Sequence, residues 1–168
     1  MPAMELDGVV FTPVSPKLTT VRYISAAIWA LLSLALFGAP LVLMLTGVWP
    51  EFWPWLAWAL LAVGVVWTAI ALALVPRRVR ALGYAEREDD LLWRSGILFR
   101  SVKAVPYGRL QYVDVEDGPL LRRFDLQKVT LKTASDSADL EIPGLTKAEA
   151  QRLREVLMSR GQAKLAGL

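Results

Sequence analysis

The pattern of hydrophobic positions divides this chain into two regions. Residues 24–45 and 52–75 are continuous apolar runs without a charged residue. At 1.5 Å rise per helical residue, either run is long enough to span the roughly 30 Å hydrocarbon core of a bilayer. After residue 80 the apolar positions alternate, as in the strands of a water-soluble domain. The pattern predicts two transmembrane helices followed by a mainly β domain.

The short connection between the runs predicts an antiparallel pair of helices. Gly47 and Pro50 lie in this connection, and both residue types interrupt helices. A single helix over both runs would be far too long for a bilayer. Buried helices of a soluble bundle would each show a polar face, and neither run has one. We therefore predict a membrane hairpin.

Basic residues lie on the outer flanks of this hairpin, with Lys17 and Arg22 before it and Arg77, Arg78 and Arg80 after it. The connecting turn carries only the acidic Glu51. Because Lys and Arg near membrane ends are retained on the cytoplasmic side, both termini are predicted to be cytoplasmic. The predicted location is the cell (cytoplasmic) membrane, with a multi-pass topology.

Small residues four apart occur within each span, namely Ala35 and Ala39, and Gly64 and Thr68. Such pairs let helix backbones approach closely. They serve either packing within one hairpin or a contact between subunits. The spans contain no ionisable side chain, which favours an anchor over a pore or a transporter.

These patterns divide the chain into four parts. Residues 1–22 have several prolines, two acids and little periodicity, and are predicted to be a disordered cytoplasmic tail. Residues 23–76 form the hairpin, and residues 77–161 form the soluble domain. Residues 162–168 are predicted to be a C-terminal tail.

Alternation in the soluble part predicts antiparallel strands at 81–84, 91–94, 97–102, 110–116 and 126–133, with a last strand inward at Ala138, Leu140 and Ile142 and ended by Pro143 and Gly144. Ser95 and Gly96 are the predicted hairpin turn between the second and third strands. Trp93 and Phe99 are assigned to the core. The 126–133 strand is predicted to point Val129 and Leu131 inward and Lys128, Thr130 and Lys132 outward. A polar turn is predicted at 134–137.

One amphipathic helix follows the strands. Thr146 and Glu149 fit the capping-box pattern at its start. The apolar stripe consists of Ala150, Leu153, Val156 and Leu157, and Gly161 is the predicted stop. Strands followed by a single helix predict an antiparallel sheet or partial barrel that is covered by the helix.

The chain contains no Cys and no His. Disulfides, thiolate nucleophiles and Cys-ligated metals are therefore excluded, and the commonest general base is absent. The carboxylates Glu86, Glu88, Asp89 and Asp90 lack the spacing of a calcium loop and are interpreted as a solvated turn. No catalytic residue, cofactor, metal, small-molecule substrate or nucleic acid is predicted, and the net charge is only +3.

Several ordered motifs resemble a known family. Two spans followed by residues 90–96 (DLLWRSG), 105–114 (VPYGRLQYVD), 118–124 (GPLLRRF) and 142–144 (IPG) are similar to bacterial membrane-anchored pleckstrin-homology-like proteins of the YdbS-like type. The resemblance covers about residues 20–160 and implies a seven-stranded, partly open barrel with a C-terminal helix. It implies no reaction. After the Arg-Phe pair the family commonly has Gly where Asp125 stands here, which leaves open whether the local turn differs.

Two groups of basic residues are candidate sites. Arg77, Arg78 and Arg80 are candidate contacts for anionic lipid headgroups, although they could serve only to fix the topology. A candidate patch for a headgroup or an acidic partner consists of Lys103, Arg109, Arg122 and Arg123. The alternative for Arg122 and Arg123 is a solvated loop face, or pairing with Asp114, Glu116 or Asp117.

The sequence favours a non-enzymatic, membrane-anchored pleckstrin-homology-like module. Its domain would present a protein-interaction or self-assembly surface at the cytoplasmic face, with the bilayer and a membrane protein, or itself, as partners. Alternatives are a direct sensor of anionic lipid headgroups and an accessory subunit of an envelope transporter or enzyme.

Overall fold

The computed structural model describes residues 9–133 and 139–165. The chain divides into two compact units, one comprising Arg22–Pro76 and the other combining the segment before it with the chain from Arg77 onward. The polar turn predicted at 134–137, the inward Ala138 and the ends of both predicted tails lie outside the described residues.

Two long helices, α1 (Lys17–Leu45) and α2 (Pro54–Arg80), account for both predicted spans. Only 6 % of the most apolar stretch of α1 and 17 % of that of α2 is buried. A core helix of a soluble protein would bury most of this surface. The exposed apolar side chains therefore suit a lipid environment, and the helices are joined by a turn as predicted.

Small residues bring the two helices of this unit together. A Cβ atom at Gly64 would lie 2.8 Å from Cβ of Phe37, so the close approach requires glycine. The hydroxyl oxygens of Ser33 and Thr68 lie 3.0 Å apart and share a hydrogen bond. Gly64 and Thr68 thus pack within one hairpin, in agreement with the first of the two interpretations.

The other unit contains two antiparallel sheets with the strand orders β1-β2-β3-β4 and β5-β6-β7. The strands are β1 Thr12–Pro13, β2 Gly83–Glu86, β3 Asp90–Ser95, β4 Ser101–Pro106, β5 Leu110–Glu116, β6 Leu126–Thr133 and β7 Leu140–Thr146. A 3₁₀ turn, Tyr107–Arg109, connects the sheets, and two helices complete the unit, α3 Pro119–Arg123 and α4 Lys147–Leu165. Seven strands and a C-terminal helix agree with the fold that the resemblance implied.

The segment before the first span belongs to this folded domain. Thr12–Pro13 extends the first sheet by pairing with β2. Three apolar side chains of the segment are buried in the common core, Val14, Leu18 and Val21. The prediction that residues 1–22 are disordered is therefore wrong for the described part. The segment is ordered because it covers one edge of the sheet and fills the core beneath it.

Gly144 fixes this segment on the second sheet. The amide of Ser15 donates a hydrogen bond to the carbonyl of Gly144 (2.9 Å). A Cβ atom at Gly144 would lie 2.6 Å from Cδ2 of Leu18. Gly144 has a φ of 78°, and the register shifts beside it, so β7 passes through Pro143 and Gly144 as a bulge and ends only at Thr146. Pro143 is tolerated because β7 is an edge strand.

The first sheet differs from the prediction in two places. β2 begins two residues later than predicted, and residues 97–100 form a loop between β3 and β4 instead of continuing a strand. Trp93 is buried as predicted, whereas Phe99 is 91 % exposed, so its assignment to the core is wrong. The reason lies in the turn: Gly96 has a φ of 93°, and any side chain there would collide with the carbonyl oxygen of Phe99.

The second sheet follows the predicted alternation closely. Val129 and Leu131 on β6 are buried as predicted. Thr130 was predicted to face outward but is 7 % exposed. β6 is the central strand, and Thr130 lies between its cross-strand neighbours Asp114 and Glu141. Its short side chain is therefore shielded by longer ones.

Helix α4 begins as predicted and ends later. The hydroxyl of Thr146 accepts a hydrogen bond from the amide of Glu149 (3.3 Å), which is one half of the predicted capping box. The Glu149 carboxylate contacts Tyr84 and Arg152 instead. Ala150, Leu153 and Leu157 are fully buried. Gly161 does not stop the helix; it is buried, and a Cβ atom there would lie 3.5 Å from the Tyr107 carbonyl oxygen. The predicted tail is thus helical over residues 162–165.

Candidate functional site

A hydrogen-bonded network fastens α4 to β2. The hydroxyl of Tyr84 donates to Glu149, and Arg152 contacts Glu149 (2.7 Å) and Glu86 (2.5 Å). Burial, followed by the bond to Glu149, raises the pKa of the Tyr84 hydroxyl. The guanidinium of Arg152 lowers the pKa of Glu149 below its usual value. All four side chains satisfy one another, so this network positions the helix.

The acidic turn after β2 is also paired. Arg87 binds Asp90, and Lys164 of α4 binds Asp89 (2.9 Å). Arg160 donates to the carbonyl oxygen of Arg87 (2.5 Å). A cavity of about 400 Å³ beside these pairs is lined by Glu86, Arg87, Glu88, Arg160, Ala163 and Lys164. The searched residues contain no cluster of three or more metal-binding side chains.

Cations on the second sheet likewise have acidic neighbours. Lys128 lies between Glu116 (2.9 Å) and Glu141 (3.0 Å), and Lys132 pairs with Asp139. The two carboxylates raise the pKa of Lys128. On the outer face of this sheet, Lys128 and Lys132 are therefore both neutralised by ion pairs.

The predicted patch of four basic residues does not form as one site. Arg122 pairs with Asp117 (2.8 Å), as its alternative interpretation stated. Arg122 and Arg123 lie on α3, which follows the C-terminal end of β5, whereas Arg109 precedes the N-terminal end. At about 3.3 Å per residue, β5 separates these ends by roughly 20 Å. Lys103 lies on β4, so only Lys103 and Arg109 belong to the same part of the chain.

The segment from the β3–β4 hairpin to the start of β5 carries basic residues without acidic neighbours in the sequence. Between Asp90 and Asp114 the sequence has no acidic residue and four basic ones, Arg94, Arg100, Lys103 and Arg109. Across the described residues, none of the four takes part in an ion pair. Leu98 and Phe99 at its tip are 89 % and 91 % exposed. The absence of acids was visible in the sequence, but the exposed tip was not.

Strand β4 is the outer strand of its sheet. It pairs with β3 only, and no described strand lies on its other side. Ser101, Lys103, Ala104 and Pro106 are exposed. Exposed residues thus occur on both faces of β4, while Val105 is buried in the core and anchors the strand to the domain.

The three arginines at the end of α2 are all exposed, and Val79 among them is buried in the domain core. The described part of the chain offers Arg77, Arg78 and Arg80 no ion pair.

Comparison with known proteins identifies the family. The sequence model described as Bacterial PH domain matches residues 18–161. This chain belongs to the bacterial PH domain family. It is also 33 % identical over 105 residues to the UPF0699 transmembrane protein YdbS of Bacillus subtilis (strain 168), which covers 61 % of this chain and 65 % of that relative. No solved structure matches this chain significantly.

The family match includes both apolar helices, and the relative is a transmembrane protein. The chain is therefore a membrane-anchored bacterial PH-domain protein. The matched part spans just under two thirds of the relative's length.

The fold explains how this family member accommodates Asp125. The residue has a φ of 55°, in the left-handed region that glycine adopts freely. Asp and Asn are the side chains that tolerate this region best. Its carboxylate also lies 3.4 Å from Nζ of Lys147. The left-handed turn that glycine would favour is therefore present with Asp125.

Proposed function

We propose that this bacterial PH-domain protein is a non-enzymatic membrane module whose β4 edge docks an extended segment of another membrane protein or of a second copy. The open edge of β4 is the observation that carries the proposal. An added strand would complete main-chain hydrogen bonds that β4 cannot make within the described structure.

Charge complementarity defines the chemistry of the partner. Between Asp90 and Asp114 the only charged residues are basic, and none of them forms an ion pair with a described residue. An acidic segment would find Lys103 beside its backbone, and Lys103 has no ion-pair partner among the residues that the structure describes. Like-charged segments would be rejected, which contributes specificity. Because the hairpin helices hold the domain at the bilayer, a weak contact suffices for a partner in the same membrane.

We further propose that both termini and the PH domain lie on the cytoplasmic side. Lys17 and Arg22 before α1's apolar part, and the arginines that end α2, support this orientation. The turn between the helices carries no basic residue. A reporter active only in the cytoplasm, fused after Leu168, tests the orientation; activity only of an exported reporter would contradict it.

Photo-crosslinking in native membranes tests the docking strand. Benzoylphenylalanine replaces Ser101 or Lys103, and the matched control replaces the exposed Tyr112 on β5, where the side chain is already aromatic. We expect protein adducts from both β4 positions and few from the control. A partner identified by mass spectrometry, or an adduct at twice the chain's mass, distinguishes another protein from a second copy. Adducts to lipid alone, or equal yields at Tyr112, would refute the proposal.

A further inference from the structure

The tip of the β3–β4 hairpin presents two adjacent apolar side chains to solvent. Leu98 is 89 % exposed and Phe99 is 91 % exposed. Single exposed apolar residues are ordinary in folded proteins, but a neighbouring pair of this size at a loop tip is not.

The loop holds these side chains outward through its own geometry. Gly96 adopts a φ of 93° and faces the Phe99 carbonyl closely enough to exclude any side chain. At the base of the loop, the guanidinium carbon of Arg94 lies 4.7 Å from the ring centroid of Phe11. The tip is therefore preorganised, and it loses little conformational entropy when it binds another surface.

Charge and size indicate what the tip contacts. Arg94, Arg100 and Lys103 surround it, with no acid in the hairpin after Asp90. Apolar side chains bordered by cations are typical of segments that enter the interface of a membrane with anionic lipids. A stable protein interface buries about 800 Å² per partner, far more than two side chains offer. The bilayer to which the domain is already tethered supplies the matching surface.

We propose that Leu98 and Phe99 insert into the interfacial region of a bilayer containing anionic lipid, with Arg100 on the headgroups. This contact is independent of the docking strand, because it uses the end of the hairpin and leaves the β4 edge open. It would make the position of the domain at the membrane depend on lipid charge.

Fluorescence of the full chain in nanodiscs tests the insertion. The sequence contains no cysteine, so Ser101→Cys gives a single labelling site beside the tip and leaves Leu98, Phe99 and Arg100 unchanged. The label is a polarity-sensitive nitrobenzoxadiazole group. The matched control carries the label at Tyr112→Cys, an exposed position on β5. Discs contain one or two copies of the chain and either phosphatidylcholine alone or phosphatidylcholine with phosphatidylglycerol.

We expect a blue shift and several-fold stronger quenching by shallow doxyl-labelled lipids at position 101 than at position 112. Both effects should be larger with phosphatidylglycerol and should weaken at high salt. Adding Leu98→Ser and Phe99→Ser should abolish the shift, and Arg100→Gln should reduce it only in anionic discs.

Two results would overturn the proposal. One is equal quenching at positions 101 and 112 in both lipid mixtures. The other is a blue shift without doxyl quenching that arises only in discs with two copies, because the tip would then bind protein. Loss of signal through unfolding is distinguished by unchanged hydrogen exchange of β6 in the double-serine variant.

Discussion

The β3–β4 hairpin and the α4-covered second sheet carry similar numbers of cations but use them differently. Lys128, Lys132, Arg152 and Lys164 each contact a carboxylate of the fold. The three cations of the hairpin, Arg94, Arg100 and Lys103, form no ion pair among the described residues. Charge in the α4-covered sheet holds elements together, whereas Arg100 and Lys103 of the hairpin form no ion pair among the described residues.

Leucines show the same contrast. Leu153 on α4 is fully buried, and Leu98 at the hairpin tip is 89 % exposed. Residue type alone therefore does not separate scaffold from contact surface in this PH domain. Position relative to the core separates them, and paired substitutions in the two regions test this comparison.

The largest expected difference is between Leu153→Ala and Leu98→Ala. Truncating the buried leucine removes about 2–5 kcal/mol from the free energy of unfolding through lost burial and a cavity. The exposed one changes it by less than about 0.5 kcal/mol. Hydrogen exchange of β6 amides in the full chain measures both. Comparable losses from the two variants would break the distinction.

A charge pair gives a smaller difference. Arg152→Gln removes contacts to Glu86 and Glu149, and we expect a loss of about 1 kcal/mol, since Arg152 is half exposed and its pairs are screened. Arg100→Gln should leave the free energy of unfolding unchanged. The same exchange measurement checks both, and a loss in the Arg100 variant would reveal a structural role for the hairpin charge.

Lowering the pH should reduce the free energy of unfolding of the domain through protonation of Glu149. Arg152 holds the pKa of this carboxyl below the unfolded value of about 4.3. The stabilisation is therefore complete above that value and is lost as the pH falls through the lower, folded-state pKa. Unfolding of Glu149→Gln, followed against pH, should show a shallower decline than the parent chain. An equal slope would show that other carboxyls dominate.

The smallest expected effect is at the left-handed turn before β6. Asp125→Gly relieves the conformational cost at a φ of 55° but loses the exposed contact to Lys147, for a net gain of at most about 0.5–1 kcal/mol. Gly96→Ala in the hairpin is the opposite case and should destabilise by more than this gain, because a Cβ atom would collide with the Phe99 carbonyl oxygen. Thermal unfolding of both variants tests whether the first is stabilised and the second destabilised. Destabilisation by Asp125→Gly would show that the ion pair outweighs the backbone strain.

Patterns local in sequence predicted much of this fold. The apolar runs identified α1 and α2, and strict alternation identified β6, because each element repeats its own period. Strand β1 left no such pattern. It has two residues, and its partner Tyr84 lies beyond both spans. Burial of Leu18 likewise depends on Gly144, far along the chain, and no local signal reports that contact.

The candidate site was predicted only in part. Lys103 and Arg109 were named from their charge, and Asp117 was named as a partner of Arg122 because they are close in sequence. The exposure of Leu98 and Phe99 was not predicted, because an apolar run indicates a core strand unless the turn geometry is known. Gly96 has a positive φ, and its backbone lies so close to the Phe99 carbonyl oxygen that a side chain would collide with it. This turn geometry places Leu98 and Phe99 outside the sheet.

The central claim is that the β4 edge is the working surface of this PH-domain protein. Hydrogen exchange of the Ser101–Pro106 amides, compared between native membranes and nanodiscs with one purified copy, tests it most directly. The account predicts that alternate β4 amides become protected in native membranes while β6 stays the same. Equally fast exchange of β4 in both preparations would contradict it.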